Sequence, residues 1–441
     1  MLINFTIVSQ SSIQNIASGL TIFLIMSLNA LYVDFNSYFA SVEQQLLPEL
    51  RGKPIGVLAV MAETTCCIAA SYEAKAFGVK TGTLVRDARK LCPDIIFVEA
   101  RPPIYVAFHH KLIEIVESCT HVEKVLSIDE MVCRLTGSQK IPDNALKLAA
   151  IIKRAIHKQF DYIRCSIGIA PNTFLAKTAS NMQKPDGCVL IAQHELPSRL
   201  YDLRLRDLNG IGKQMEVRLN RYKITTVEHL YAANRQQLQA AWGSIEGERM
   251  YDKLRGLEPY YVKNARSSLG HSHVLPPEQR NEVGAKAVIH RLLQKACVRM
   301  RSYDLLASRI SIKVKFRDSA EYKVLPGWGM ESAISPTDST LRLIEALEAF
   351  WLHYPKAMHQ PFSVGISFSG LVTAEEVARD LFQIEPIENE KKLNNAIDTL
   401  NLKFGKNTIY FGGAHQALKD APMRIAFNHI PDLVVEGDED A

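Results

Sequence analysis

The chain reads as a multidomain protein of mixed α/β and α+β class, on three observations. Strand-like and helix-like patterns alternate from Leu28 to Met182, as they do in layered α/β structures. Residues 193–260 are helical throughout, with short Gly-containing turns. Residues 268–370 follow the order β-α-β-β-α-β, a split βαβ arrangement.

Ala30 to Asp34 is a short apolar strand ending in a carboxylate. Ser37 to Leu47 has helical period, with Phe39, Val42 and Leu46 on one face. Strands follow at Ile55 to Val60 and Ile95 to Val98, and a helix at Tyr105 to Thr120. Val125 to Leu135 reads as one strand, Asn144 to Phe160 as a helix, Arg164 to Ala170 as a strand and Thr173 to Met182 as a helix. After a linker at 261–267, strands are predicted at Ser268 to Leu275, Ala307 to Arg317, Glu321 to Leu325 and Phe362 to Phe368. Helices are predicted at Val283 to Arg301 and Thr340 to Trp351. A C-terminal tail over 372–441 carries one more helix, Glu388 to Leu402.

At 47% hydrophobic and 22% charged, the 441 residues suit several globular cores and argue against a disordered chain. A net charge of +5 does not by itself establish nucleic-acid binding. The eight cysteines include no C-x-x-C pair, which disfavours a zinc site. A reducing cytoplasm is the expected location. Residues 1–33 carry no charged side chain, but the apolar run Leu20 to Met26 is too short to span a bilayer and has no basic flank. Residues 1–27 therefore read as an N-terminal extension outside the fold, with Met26 as the natural starting point and no membrane partner.

Asp34 closes one strand, and Asp129 and Glu130 sit inside another apolar stretch. Carboxylates there are costly to bury unless they meet a cation, and three of them suit a two-metal phosphoryl-transfer site. Neighbouring residues of a strand point to opposite faces, so a shared site requires a turn or bulge at Asp129. A surface turn of unpaired acids is the alternative.

The flanks of these acids are LYVDFNSYFASVEQ (31–44), AASYEAKAFGVKTG (69–82), SIDE (127–130) and SIGIAPNTFLAKTASNMQKPDG (166–187). Together they resemble the Y-family DNA polymerases, translesion enzymes that include bacterial DNA polymerase IV and the catalytic subunit of DNA polymerase V. The resemblance is specific from about Leu28 to Gly270 and looser to about residue 430. It implies a right-hand polymerase: a catalytic palm over 28–37 and 100–192, small fingers over 38–99, a helix-hairpin-helix thumb over 193–260 and a DNA-binding little finger over 268–371.

The same resemblance implies site roles. Asp34 and Asp129 would bridge two Mg2+ ions, with Mn2+ as a substitute, and Glu130 and the Phe35 carbonyl would complete the ligands. Ser37, Tyr38, Phe39, Tyr72, Lys75 and Lys184 would hold the dNTP, with the Phe39 ring excluding a ribose 2′-hydroxyl. Position 75 is often Arg in polymerase IV-like members; its Lys offers a point charge rather than a fork. Read from the residues alone, Phe39 is a core side chain and each lysine a solvated charge.

Primer-template DNA is the expected partner of two surfaces. Gly210, Gly212 and Lys213 open a helix behind a G-x-G turn, where backbone amides can approach a phosphate. In the stretch Ser308 to Arg317, the residues Arg309, Ser311, Lys313, Lys315 and Arg317 alternate with mostly apolar ones, so period two gives one basic face. An ordinary solvated strand face is the alternative. A sliding-clamp motif after the little finger is reduced to Leu381 and Phe382, which leaves clamp binding in doubt. The chain is expected to act as a monomer and, with no region for a proofreading exonuclease, at low fidelity. Two other readings are open: a weak or inactive scaffold subunit of a mutagenic complex, and a nucleotide cyclase on a similar palm. Retention of all three carboxylates argues against the scaffold.

Overall fold

In the computed structural model the described residues are 28–433 apart from 64, 261–265, 318–324, 356–358, 378–383, 424 and 426–429. The N-terminal extension, most of the linker, Leu381 and Phe382 lie outside them, as do residues 321–324 of the strand expected at Glu321 to Leu325. The chain divides near residue 261 into two units.

The first unit opens with β1 (Ala30–Phe35), α1 (Tyr38–Leu46), β2 (Ile55–Leu58), β3 (Cys67–Ala70), α2 (Tyr72–Ala76), α3 (Val85–Leu91), β4 (Ile96–Glu99) and α4 (Pro102–Glu117). It continues with β5 (Val122–Ser127), β6 (Glu130–Arg134), α5 (Pro142–Gln159), β7 (Cys165–Ala170), α6 (Thr173–Met182) and β8 (Cys188–Leu190). Helices α7 (Lys213–Arg221), α8 (Val227–Ala232), α9 (Arg235–Trp242) and α10 (Glu246–Leu254) complete it. One sheet has the order β5-β6-β1-β7-β8 and a smaller one β3-β2-β4.

Strand β1 is buried along its whole length, between β6 and β7. That is why its residues are apolar apart from Asp34 and the Tyr32 hydroxyl. The stretch expected as one strand over Val125 to Leu135 is instead a tight hairpin, β5 and β6, with Ile128 and Asp129 in the turn. The apolar residues on either side hid it: no Gly or Pro marks the reversal, and Ser127 and Asp129 are its turn-favouring residues. Strands β3 and β8 have no counterpart in the sequence pattern; at four and three residues they are too short to show a period.

Helix α1 also turns differently. Leu46 is 38% exposed, whereas Val42 and even Glu43 are fully buried. The Glu43 carboxylate pairs with Arg101 and accepts from the Tyr105 hydroxyl at 2.7 Å, so a satisfied ion pair joins α1 to α4. One apolar cluster runs from Ala30 and Tyr32 through Leu175 and Ala179 on α6 to Leu219, Leu238 and Leu254 in the helical region. Asn172, the N-cap of α6, donates to the carbonyls of Lys253 and Leu257, both at 2.8 Å.

The second unit contains β9 (Ser268–Val274), α11 (Glu282–Arg301), β10 (Leu305–Arg317), β11 (Trp328–Thr337), α12 (Thr340–Trp351), β12 (Gln360–Thr373) and α13 (Ile384–Phe404). Its sheet order is β11-β10-β12-β9, with every pair antiparallel. The third strand lies at 328–337; Leu325, the described end of the stretch expected to form it, is outside any strand. Gly327, Gly329 and Ser335-Pro336 disguise this segment as a loop. Ile310, Ile312, Val314 and Phe316 of β10 face the core with Val364, Ile366 and Phe368 of β12. Phe362 does not join them. A register shift pairs Lys315 with Ser363 but Phe316 with Pro361, and the Phe362 ring meets the guanidinium groups of Arg280 and Arg317.

Candidate active site

Asp34 and Glu130 are cross-strand partners in the β1–β6 ladder, so their side chains stand on one face of the sheet. The turn before Glu130 brings Asp129 beside them, held by a hydrogen bond from Phe35 N–H to the Asp129 carbonyl at 2.9 Å. The turn takes Asp129 out of the strand alternation that would set it opposite Glu130. The Phe35 amide is thereby tied to Asp129.

Helix α6 covers this face and delivers a residue that sequence reasoning missed. The Lys177 ammonium lies 2.5 Å from Asp34 Oδ2, also pairs with Glu130, and sits 5.0 Å from the centre of the Tyr32 ring. Burial alone would pull its pKa down, but the two carboxylates outweigh that and hold it above the ordinary lysine value. The Tyr32 hydroxyl donates to Glu130 at 2.8 Å. No local signal marks Lys177, since its contact with Asp34 joins residues 143 positions apart. Lys184 reaches the other Asp34 oxygen at 2.7 Å.

Asp129 is half-buried and accepts from Ser127 Oγ at 2.6 Å; burial raises its carboxyl to about 6 against that bond. Among the described residues no three His, Cys, Asp or Glu side chains are gathered closely enough to hold an ion. Their chemistry nonetheless fits a hard divalent cation: all are oxygen donors, on adjacent strand ends, and Asp34 and Glu130 already converge on one positive charge.

The expected nucleotide residues lie alongside. Lys75 donates to Ser37 Oγ at 2.7 Å and stands 4.5 Å from the Tyr72 ring centre. Its pKa is lowered by burial and then by Lys184, against the pull of Asp34 and Asp129. Tyr72 is pushed up to about 12, chiefly by burial. Ser37 begins α1 in a left-handed conformation and makes no side-chain cap, leaving its hydroxyl to Lys75. Phe39 is half-buried and stacks on Tyr105 at 4.4 Å, whereas Tyr38 is buried with its hydroxyl on the Tyr105 carbonyl at 2.7 Å. The Tyr38 side chain is thus engaged in packing, which leaves its backbone N–H at the start of α1 as the group that could meet a triphosphate.

Behind the turn, buried His109 on α4 places Nδ1 2.7 Å from the Ile128 carbonyl, and burial lowers its pKa to about 4. An unfolded His takes up a proton near 6.5, so the unfolded chain binds more protons between about pH 4 and 6.5. Stability is complete above that window and falls as pH drops through it, by about 3 kcal/mol from this group. His109→Gln is expected to flatten that part of the stability–pH curve in urea unfolding.

The other expected contacts are dispersed. Gly210 takes φ +87°, Gly212 is the N-cap of α7 and Lys213 its first residue. On β10, Lys313 and Lys315 are exposed between buried neighbours, as period two requires. Arg309 is paired with Glu331 of β11 at 2.9 Å, which partly offsets its charge.

Comparison with known proteins agrees along the chain. The impB/mucB/samB family matches residues 33–181, its C-terminal domain 266–381, and the thumb domain of DNA polymerase-iota 206–258. DNA polymerase IV of Pelotomaculum thermopropionicum is 32% identical over 86% of this chain and 93% of its own length. That of Moorella thermoacetica is 31% identical over 86% and 94%. A Y-family DNA polymerase chimera of Dbh and Dpo4 superposes with a TM-score of 0.65 at 24% identity, covering 78% of this chain and 100% of that one. The insertion ternary complex of Dbh DNA polymerase gives 0.53 at 25% identity with the same coverage. No described helix is long and apolar enough to cross a membrane. With its fold, its ordered motifs and its relatives in agreement, the chain belongs to the Y family of translesion DNA polymerases.

Proposed function

We propose that this polymerase extends a primer on a DNA template by two-metal phosphoryl transfer, with Mg2+ as the ion and without proofreading. The convergence of Asp34, Glu130 and the Asp129 turn at one end of β1 and β6 carries the reading. Residues 28–37 and 100–192 act as palm, 38–99 as fingers, 193–260 as thumb and 268–371 as little finger. Asp34, Asp129, Glu130 and the Phe35 carbonyl would hold the metals, which supply a deprotonated primer hydroxyl and charge neutralisation at the α-phosphate. Lys75, Lys184 and Tyr72 bind the triphosphate of the dNTP, with Ser37 orienting Lys75. Lys177 balances Asp34 and Glu130 and keeps them facing one another. Gly210, Gly212 and Lys213 grip the duplex backbone, and Lys313, Lys315 and Arg317 add cations along it.

Primer extension with Mg2+ and each dNTP in turn tests this. Wild type is expected to add template-directed nucleotides, and Asp129→Ala/Glu130→Ala to add none. A folded wild type that binds DNA yet never extends it would favour the scaffold reading. The Phe39 ring makes a second expectation. Phe39→Ala removes a face stacked on Tyr105 and opens the sugar pocket, so ribonucleotide use should rise roughly 100-fold relative to dNTP use. Unchanged discrimination in single-nucleotide kinetics would assign Phe39 to packing.

A further inference from the structure

Asn36 follows the acid-bearing end of β1, and Asp186 lies 150 positions further along the chain. The fold brings them into contact. Asn36 is buried in the turn between β1 and α1, and the Asp186 N–H donates to its side-chain oxygen at 2.7 Å. A backbone N–H can only donate, so this bond fixes which way the amide points. The amide nitrogen then donates to Ser166 Oγ at 3.0 Å.

Ser166 is the buried cross-strand partner of Asp34 on β7. Its hydroxyl donates to the Gln183 carbonyl and accepts from the Gly187 N–H, both at 3.3 Å. Two side chains rooted beside Asp34 thus hold the turn that carries Lys184, one at its ends and the other at Asp186.

The turn is tight and is also held from behind. A Cβ at Gly187 would lie 1.9 Å from the Gln183 carbonyl oxygen, so the residues flanking 184–186 close on one another. Asp186 takes φ +55°, a left-handed conformation that a residue other than glycine keeps where its surroundings fix it. Lys153 of α5 pairs with the Asp186 carboxylate at 2.9 Å and donates to the Gly187 carbonyl at 3.2 Å. What the turn presents forward is the Lys184 ammonium, 2.7 Å from Asp34 Oδ1 and on the side where it helps to lower the pKa of Lys75.

We propose that Asn36 is a positioning residue for the incoming nucleotide: it locks the 183–187 turn to the end of β1 and so sets the place from which Lys184 meets the triphosphate. The assignment rests on the reading of Lys184 as a triphosphate ligand. A lysine charge rides on a flexible four-carbon stem and is placed well only where its backbone is fixed. The bonds of Asn36 and Ser166 supply that fixing from the strands that carry the acids, which keeps the cation in register with them.

Equilibrium binding of the correct dNTP to the full chain, with Mg2+ on a dideoxy-terminated primer-template where no bond can form, tests it. Lys184→Ala and Asn36→Leu are each expected to weaken dNTP binding about tenfold. The double variant should bind no more weakly than Lys184→Ala alone. Leu is close to Asn in size but offers the Asp186 N–H no acceptor. Asn36→Asp keeps that acceptor, with the Ser166 proton turned to its second oxygen, and should restore binding to within about threefold of wild type. Wild-type affinity in a folded Asn36→Leu, beside a weakened Lys184→Ala, would overturn the proposal. So would losses that multiply in the double variant, since Asn36 would then act on something other than Lys184. Circular dichroism verifies folding. If Asn36→Leu does not fold, Ser166→Ala carries the test: it removes the acceptor of the Gly187 N–H and should weaken binding about threefold, and wild-type affinity there would overturn the proposal. Unchanged affinity in Lys184→Ala would instead remove Lys184 from the triphosphate, and the proposal with it.

Discussion

Asp34→Asn is expected to reduce primer extension by at least roughly 1,000-fold, since it removes a charge on which the transferred phosphoryl group depends. The amide keeps the shape of a side chain that is 4% exposed, so charge is the variable that changes. Two ammonium groups rest on this carboxylate, Lys177 at 2.5 Å and Lys184 at 2.7 Å. Lys177 is itself deeply placed and would keep Glu130 alone. Removing one member of such a buried group typically costs about 3–5 kcal/mol, because the remaining charge loses its partner. The same substitution should therefore lower stability by about 3 kcal/mol in urea unfolding. Activity and stability are read separately, with extension measured at a temperature where the variant is folded. A folded variant that extends within tenfold of wild type would remove Asp34 from the reaction and leave it as a partner for two lysines.

The three acids stood out because a carboxylate in an apolar strand is chemically conspicuous, and the motifs that flank them supplied the expectation of a metal-binding role. Their geometry was less legible. Period two forbade Asp129 and Glu130 from sharing a face and so called for a turn or bulge at Asp129, but with no Gly or Pro there the sequence did not show that the stretch is two paired strands. Lys177 was hidden for a different reason. Its role depends on α6 crossing the sheet above Asp34, a contact between residues 143 positions apart, and local periodicity carries no information at that range. The alternation in β10 survived intact, since burial of Ile310, Ile312 and Val314 fixes the strand's facing. What alternation could not show is the Glu331 partner of Arg309, which sits on a strand whose glycines and proline resemble a loop. Buried Glu43 escaped notice because its compensation by Arg101 comes from 58 residues away.

Gly168→Ala is expected to be among the most damaging single changes to the fold, despite adding one methyl group. Gly168 lies in β7 between β1 and β8, opposite Tyr32 and Val189. A Cβ built there would lie 1.9 Å from the Ala176 carbonyl oxygen and 2.4 Å from the Ser180 amide nitrogen. Both are backbone atoms of α6, so no side-chain rotation relieves the clash; the helix itself must move. Strand propensity works the other way, since Ala in a strand costs less conformational entropy than Gly, and a loss of stability therefore isolates the steric effect. Overpacking commonly costs about 1–3 kcal/mol, and a clash with fixed backbone belongs at or above that upper figure. Because α6 carries Lys177 to Asp34 and Glu130, any protein that does fold should also extend primers poorly. Gly212→Ala is the internal control. A Cβ there meets nothing within 4 Å and the residue has φ −85°, so the loss should be limited to the roughly 1 kcal/mol by which Ala is a poorer N-cap than Gly. If Gly168→Ala unfolds at the same urea concentration as Gly212→Ala, the close approach of α6 to the sheet is not what holds Lys177 in place.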